Sequence, residues 1–395
     1  MSRRVLRTLA VAAVLAIVAT ACTKKTETSG PSDGAKQTVK IAFIGALSGD
    51  YKLLVQSGYN GAKLAVDQAN AAGDLPVTIE LVQFDSQGDP AVAAPLVDQI
   101  VGDPAFVGVI GPAFSGESGG VGDKLDQAGL PFITQSATDD ALSQNGWTHW
   151  FRALGANSDM GPPAADYLVK VHGDSSICAA SDGSPYGLGL KDVAVKQAEA
   201  DGATIALNED VEAQQKDYSA LVQKIKGAGC TGLFYGGYSP EAGLIRKQMD
   251  DAGLKDVLMV GGDGIKDDTY TSTAGASGDG TVSSCTCADI STSTDPAAVK
   301  FIADYTAAYG EAPQVYGPEG WDIAQIYIAA LKAGNTTPDT ITTFVRGLNA
   351  FPGITKSYTF QSNGELDPSA RVLFFYEVKS QAWTVLGPSD QVVPA

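Results

Sequence analysis

Short apolar runs alternate with stretches of helical period through most of this 395-residue chain, and that alternation limits the fold more than any other feature. Runs over 39–44, 77–84, 106–110 and 131–134 read as strands, and 60–71, 91–101 and 121–128 between them carry apolar residues at helical spacing. Parallel strands need crossovers, usually helical. The succession therefore predicts a parallel, doubly wound sheet with helices on both faces. After 147–154 the pattern restarts: strands over 176–180, 204–207, 233–235 and 257–260 alternate with helices over 188–200, 218–226 and 241–252, a second α/β unit of similar size. From Asp295 the order changes. Helices over 297–308, 320–331 and 341–348 precede a strand pair, 357–360 with 372–378, turned at Asn363-Gly364. This tail is too short for a third α/β domain and is expected to complete the first two.

Residues 1–21 carry Arg3, Arg4 and Arg7, an apolar run over 9–18, and Ala19, Thr20 and Ala21 before Cys22. This is the layout of an export signal, too short for a spanning helix. Ala-Thr-Ala-Cys resembles a bacterial lipobox, in which the cysteine is acylated before the leader is cut. Ala19 stands where that motif usually has Leu, and an ordinary cleavage site beside an incidental cysteine is the alternative. Residues 22–37 are polar and are expected to be a flexible tether. No later stretch reaches 18 consecutive apolar residues. The formal charge of −18 becomes −21 once the three leader arginines are removed. Such a chain repels phosphate backbones, so nucleic acid is not an expected partner.

Export permits disulfides, and four cysteines remain in the body: Cys178, Cys230, Cys285 and Cys287. If the second unit has strand order 2-1-3, its first and third strands are neighbours; Cys178 and Cys230 begin those strands and are predicted to bond. Cys285 and Cys287 are left as a tight pair or as free thiols. A structural zinc needs four ligands, and this Cys-x-Cys has no second pair, so neither a metal nor another cofactor is expected.

Open parallel sheets bind ligands at the carboxyl ends of their strands. Here those ends are poor in charge and rich in glycine and small hydroxyls: GALSG (45–49), GPAFS (111–115), TQSAT (134–138), DGSPYG (182–187), YGGY (235–238) and GGDG (261–264). Gly236 and Gly237 are expected to let the backbone approach a ligand, and Tyr238 to offer it a ring and a hydroxyl. Neither G-x-G-x-x-G after the first strand nor G-x-x-x-x-G-K-[ST] occurs, which disfavours nucleotide binding. Residues 116–120 fit G-x-S-x-G, but His149 and His172 both follow the serine. That order excludes a trypsin-like triad, and the segment is too short for an α/β-hydrolase one. The glycines are expected to open a helix, and no enzyme is expected.

In order and spacing these corners resemble the extracytoplasmic leucine/isoleucine/valine-binding proteins of ABC importers, from about Val39 to Val378. The most specific pieces are GALSG…YNGA (45–62), SATDDALSQNG (136–146), YGLGL (186–190), DYSALVQKIK (217–226) and FYGGYSPEAG (234–243). The resemblance implies the type I periplasmic binding protein fold, two doubly wound α/β lobes joined by a three-strand hinge. Lobe 1 would hold 38–156 plus 287–371 and lobe 2 would hold 157–286 plus 372–395, with crossings near 154–158, 284–288 and 370–373. It further implies that Ser115 and Thr138 hold an α-carboxylate, and that Asp263 and the main-chain carbonyl at Ser136 receive the α-ammonium. Tyr238 would close on the ligand, with Tyr186 and Phe114 walling its side chain. Asp263 stands where the family commonly has Glu, and Phe114 where the residue is often smaller; both departures bear on ligand identity. An aspartate that merely caps a helix is the alternative at Asp263.

Desolvation points the same way. A zwitterion leaving water needs donors on its carboxylate and acceptors, one of them charged, on its ammonium. Ser115, Thr138 and Asp263 have those chemistries, and an aliphatic side chain buried beside Phe114 and Tyr186 gains roughly 1.5–3 kcal/mol. The expected protein is an exported monomer, lipid-anchored at the outer face of the cytoplasmic membrane. It captures an amino acid, branched-chain in type, between closing lobes and delivers it to an ABC permease. The alternatives are a sensor of the same fold acting on a signalling receptor, or a binder of an amide, urea or aromatic acid.

Overall fold

The computed structural model describes residues 36–394; the leader, Cys22 and the tether up to residue 35 lie outside the described residues. A first sheet is built by β1 (Thr38–Gly45), α1 (Lys52–Ala72), β2 (Thr78–Asp85), α2 (Pro90–Val101), β3 (Phe106–Ile110), α3 (Ser115–Gln127), β4 (Phe132–Thr134) and β5 (Trp150–Arg152). Its strands run parallel in the order β2-β1-β3-β4-β5. The chain then enters α4 (Asn157–Asp166), β6 (Ser176–Ser181), α5 (Pro185–Ala200), β7 (Thr204–Asp210), α6 (Ser219–Ala228), β8 (Gly232–Gly236), α7 (Ser239–Asp251), β9 (Leu258–Gly261), α8 (Asp268–Ala274) and β10 (Val282–Cys285). The second sheet repeats the first, β7-β6-β8-β9-β10, so both lobes have the order 2-1-3-4-5, which contains the 2-1-3 assumed above for the second unit.

Helices α9 (Pro296–Tyr309), α10 (Gly317–Lys332) and α11 (Pro338–Arg346) follow, then a two-stranded sheet of β11 (Phe351–Pro352) and β12 (Ser357–Tyr358). Finally β13 (Phe374–Lys379) and β14 (Ala382–Pro388) extend the second sheet antiparallel beyond β10. The expected pairing of 357–360 with 372–378 is therefore wrong. Asn363-Gly364 does turn the chain, but the turn closes only a bridge between Phe360 and Leu366, tied by Gln361 N–H to the Glu365 carbonyl at 2.7 Å. The partner of β13 is β14, reached through Ser380 and Gln381 at φ 51° and 62°. Left-handed residues that are neither Gly nor Asn give no turn signal in a sequence.

Strand β1 is buried on both faces. Ile41 and Phe43 belong to the core that holds residues of α1 and α10, whereas Ala42 and Ile44 belong to the core that holds residues of α2 and α3. A strand covered on both sides is apolar throughout, which is why 39–44 showed no alternation. Helices α1 and α10 cross with backbones touching: a Cβ on Gly61 would stand 2.1 Å from the Gly317 oxygen, and one on Gly320 would stand 2.1 Å from the Gly58 oxygen. This crossing brings the start of α10, with Tyr316 at φ 61°, to the cleft. Cys178 in β6 is bonded to Cys230 at the entry of the adjacent β8, and Cys285 is bonded to Cys287.

Candidate functional site

The carboxyl ends of both sheets converge on a narrow hollow with a volume of about 10 Å³, room for about one water. Phe114, Ser115, Ser136, Tyr186, Tyr238 and Asp263 all line it. Thr138 does not. It lies two residues beyond Ser136, fully buried, and its Oγ1 has no hydrogen-bond partner.

Three hydroxyls come from lobe-1 corners in different states. Ser115 opens α3, whose first-turn N–H groups have no carbonyl of their own helix to bond. Its Oγ accepts from Asp139 N–H at 3.2 Å and so keeps its own hydrogen to donate. Ser136 Oγ spends its hydrogen on the Ala113 carbonyl at 2.8 Å and has only lone pairs to offer. Thr138 Oγ1 retains both capacities. Together with the positive end of the α3 dipole, this corner suits an anion.

The facing corner of lobe 2 is negative. Asp263 is buried, its Oδ1 accepting from Tyr186 OH at 2.8 Å while Oδ2 has no partner. Burial pushes its carboxyl up to about 6, and the hydroxyls of Tyr186 and Tyr316 hold it from going higher. Tyr186 OH in turn accepts from Gly264 N–H at 3.0 Å. Asp263 opens a short 3-10 turn, and the N–H groups of Asp263 and Gly264 in that turn also hold its carboxyl down.

Aromatic rings fill the space between the corners. Tyr238 stacks on Tyr186 at 5.1 Å, meets Phe114 edge-on at 5.2 Å and packs on Tyr51 at 5.2 Å. Offset and edge-to-face pairs at these separations are the favourable ones. Two of the rings, Phe114 and Tyr51, belong to lobe 1, and two to lobe 2. Tyr51 OH also reaches across to Glu241 Oε1 at 3.3 Å, an oxygen that accepts from Gln214 N–H at 2.8 Å as well.

The glycines of this region are tightly packed. A Cβ on Gly236 would meet the Gly187 oxygen at 2.3 Å, and one on Gly237 would meet Tyr235 Oη at 2.7 Å. Gly236 lets β8 pack against α5, and Gly237 makes room for the Tyr235 hydroxyl and the Asp182 carboxylate. In the G-x-S-x-G segment, Ser118 donates to the Pro112 carbonyl at 3.1 Å, and His149 and His172 each engage a neighbouring carboxylate, Asp126 at 2.8 Å and Asp174 at 2.9 Å.

Sequence reasoning missed Leu54, Val55 and Tyr316 in the lining and Tyr51 behind it, while Ala113 and Gly264 fall within corners it named. Tyr51 had a usable signal, a tyrosine closing the first strand-to-helix corner. Tyr316 had none, because its place depends on the α1–α10 crossing.

A sequence profile of the family described as periplasmic binding protein matches residues 38–382. The chain is 28% identical over 334 residues to the leucine-, isoleucine-, valine-, threonine- and alanine-binding protein of Pseudomonas aeruginosa, covering 84% of this chain and 88% of that one. It is 31% identical over 256 residues to the Leu/Ile/Val-binding protein homolog 3 of Brucella melitensis, covering 65% and 69%. Among solved structures, the branched-chain amino acid transporter substrate binding protein of Streptococcus pneumoniae in complex with isoleucine superposes with a TM-score of 0.80 at 25% identity, over 89% of this chain and all of that one.

Proposed function

The chain belongs to the periplasmic binding protein family, and from that premise we propose that it is the solute-binding component of an ABC importer, taking an aliphatic α-amino acid, branched-chain in type, between its lobes. The observation that carries this reading is the opposition of two corners across one hollow: the Ser115 hydroxyl and free N–H groups at a helix start on one side, and on the other a buried carboxylate with a free oxygen.

The ligand carboxylate meets Ser115, Thr138 and the first-turn N–H groups of α3. Its ammonium meets Asp263 and the main-chain carbonyl of Ser136, and its side chain lies against Phe114, Tyr186 and Tyr238. The names of the two relatives and the isoleucine complex support an aliphatic amino acid. Residues 38–156 with 287–371 form one lobe and 157–286 with 372–395 the other. Lobe 1 holds the ligand first and closure adds lobe 2, so occupancy shifts the population toward the shape a permease recognises. The protein binds and releases without chemistry. It acts as a monomer, held to the outer face of the cytoplasmic membrane through acylated Cys22 and the tether.

Thermal denaturation against the common amino acids, small amides and aromatic acids tests the reading. Leucine, isoleucine or valine is expected to raise the midpoint by several degrees, and their amides and N-acetyl derivatives are not. Stabilisation by an aromatic acid alone would overturn it.

A further inference from the structure

We propose that a second hollow, behind the cleft where the chain returns from the second sheet, binds a small zwitterion with an apolar body. This hollow has a volume of about 270 Å³ and has Lys266 and Asp289 in its wall, with Ile290, Ile302 and Val315 as apolar lining and the ring of Tyr376 at one side. Lys266 Nζ stands 4.0 Å from the centre of that ring. Among the described residues neither Lys266 nor Asp289 forms an ion pair; Asp289 Oδ1 accepts only from Ser291 N–H, at 3.0 Å. Of the other carboxylates that act on Lys266, Glu319 faces Lys356 at 3.6 Å and accepts from Ala288 N–H at 2.8 Å, Asp267 accepts from Ser239 Oγ and Thr269 N–H at 2.8 Å each, and Asp268 is exposed.

Two opposite charges that share one wall without reaching each other need an occupant carrying both signs. An anion alone leaves Asp289 unanswered, and a cation alone leaves Lys266 so. Burial pushes the Lys266 ammonium down to about 8, against the pull of Glu319, Asp289, Asp267 and Asp268 at longer range. The apolar lining sets the body of the ligand, and the pairing of one cation with one anion sets its head.

The position gives such an occupant leverage. Lys266 is three residues beyond Asp263 and Val315 immediately precedes Tyr316, so the two hollows share a wall of backbone. Lys266 and Tyr376 belong with the second sheet, whereas Val315 leads into α10 against α1. An occupant touches both lobes, and its binding and that of a cleft ligand must affect each other equally. The stoichiometry expected below rests on the cleft binding leucine as proposed above; where a single event remains, whether Asp263→Ala or Lys266→Met removes it tells the two sites apart.

Equilibrium dialysis of the protein with L-leucine up to millimolar concentration tests it. Two leucines per chain are expected in the wild type and one, weakly held, in Asp263→Ala. In that background Lys266→Met is expected to weaken the remaining event at least tenfold. Ile302→Trp, which fills the hollow and leaves the charges in place, does the same, and an unchanged denaturation midpoint in either variant shows an intact fold. N-acetyl-L-leucine and L-leucinamide are each expected to bind at least tenfold more weakly than leucine. One leucine at saturation of the wild type that Asp263→Ala removes, a weak event that survives Ile302→Trp, or N-acetyl-leucine matching leucine would each overturn the proposal.

Discussion

Tyr186 donates to Asp263 Oδ1 at 2.8 Å and itself accepts from Gly264 N–H, which fixes one carboxylate oxygen and leaves the other without a partner at the edge of the hollow. An ammonium seated on that free oxygen needs the ionised acid. Because burial raises Asp263 to about 6 in the empty cleft, a ligand must displace a proton below that pH. Amino-acid affinity is therefore expected to be flat from pH 7 to 8 and to fall by up to tenfold per unit below about 6. Asp263→Asn should weaken binding at pH 7 and remove the dependence. Calorimetry across pH 5–8 decides it, and a wild-type affinity that does not move would sink the ammonium role.

Thr138 offers a test in which stability and affinity move in opposite directions. Its buried hydroxyl has no partner, so Thr138→Val replaces an unsatisfied group by an apolar one of the same shape, which costs nothing or is stabilising. A hydroxyl that meets a ligand carboxylate contributes about 1.5–3 kcal/mol. Thr138→Val is expected to hold or raise the denaturation midpoint of the ligand-free protein and to weaken amino-acid binding about ten- to a hundredfold. A lower midpoint with unchanged affinity would make Thr138 purely structural.

What the sequence could announce follows from what decides each element. Strands such as β1, β3 and β8 are buried on both faces and so appear as bare apolar runs, and both sheets were visible for that reason. Helix α4 was not, because Pro162-Pro163 inside it is a signal against helix, and α3 began earlier than its apolar residues because glycines fill its first turns. Lobe-1 and lobe-2 corners carried their site residues in short local motifs. The place of Tyr316, and the pairing of Tyr51 with Glu241, depend on how separate elements meet, which local patterning does not encode.

Tyr51 and Glu241 form a bond across the cleft, from the head of α1 to the first turn of α7, at 3.3 Å. A bond made only when the lobes are together favours closure by its own net worth, about 0.5–1.5 kcal/mol. Tyr51→Phe keeps the ring on Tyr238 and deletes the hydroxyl. It is expected to weaken ligand affinity about two- to tenfold while leaving the radius of gyration of the ligand-free protein, measured by small-angle scattering, as it was. Unaltered affinity would show that this contact adds nothing to closure.

The buried carboxyls fix how stability varies with pH. Burial raises Asp182, Asp263, Asp267 and Asp322 to about 6 and Glu117 to about 7, each above its ordinary value. The folded state thus binds more protons than the unfolded one between about pH 4 and 7, and stability rises as pH falls through that window. Its full contribution is present below the ordinary carboxyl values and is lost as pH climbs through 6 to 7. Carboxylates held low by partners, such as Asp85 and Asp210, act in the opposite sense and yield only in stronger acid. The ligand-free protein is therefore expected to melt several degrees higher at pH 5 than at pH 8, with the maximum near 5. Glu117→Gln can keep an oxygen for the Phe114 N–H that Glu117 accepts at 3.3 Å, while removing the highest of these titrations. It should flatten the slope between pH 6 and 8 and leave the rest; an unchanged slope there would mean that Glu117 stays ionised in the folded protein.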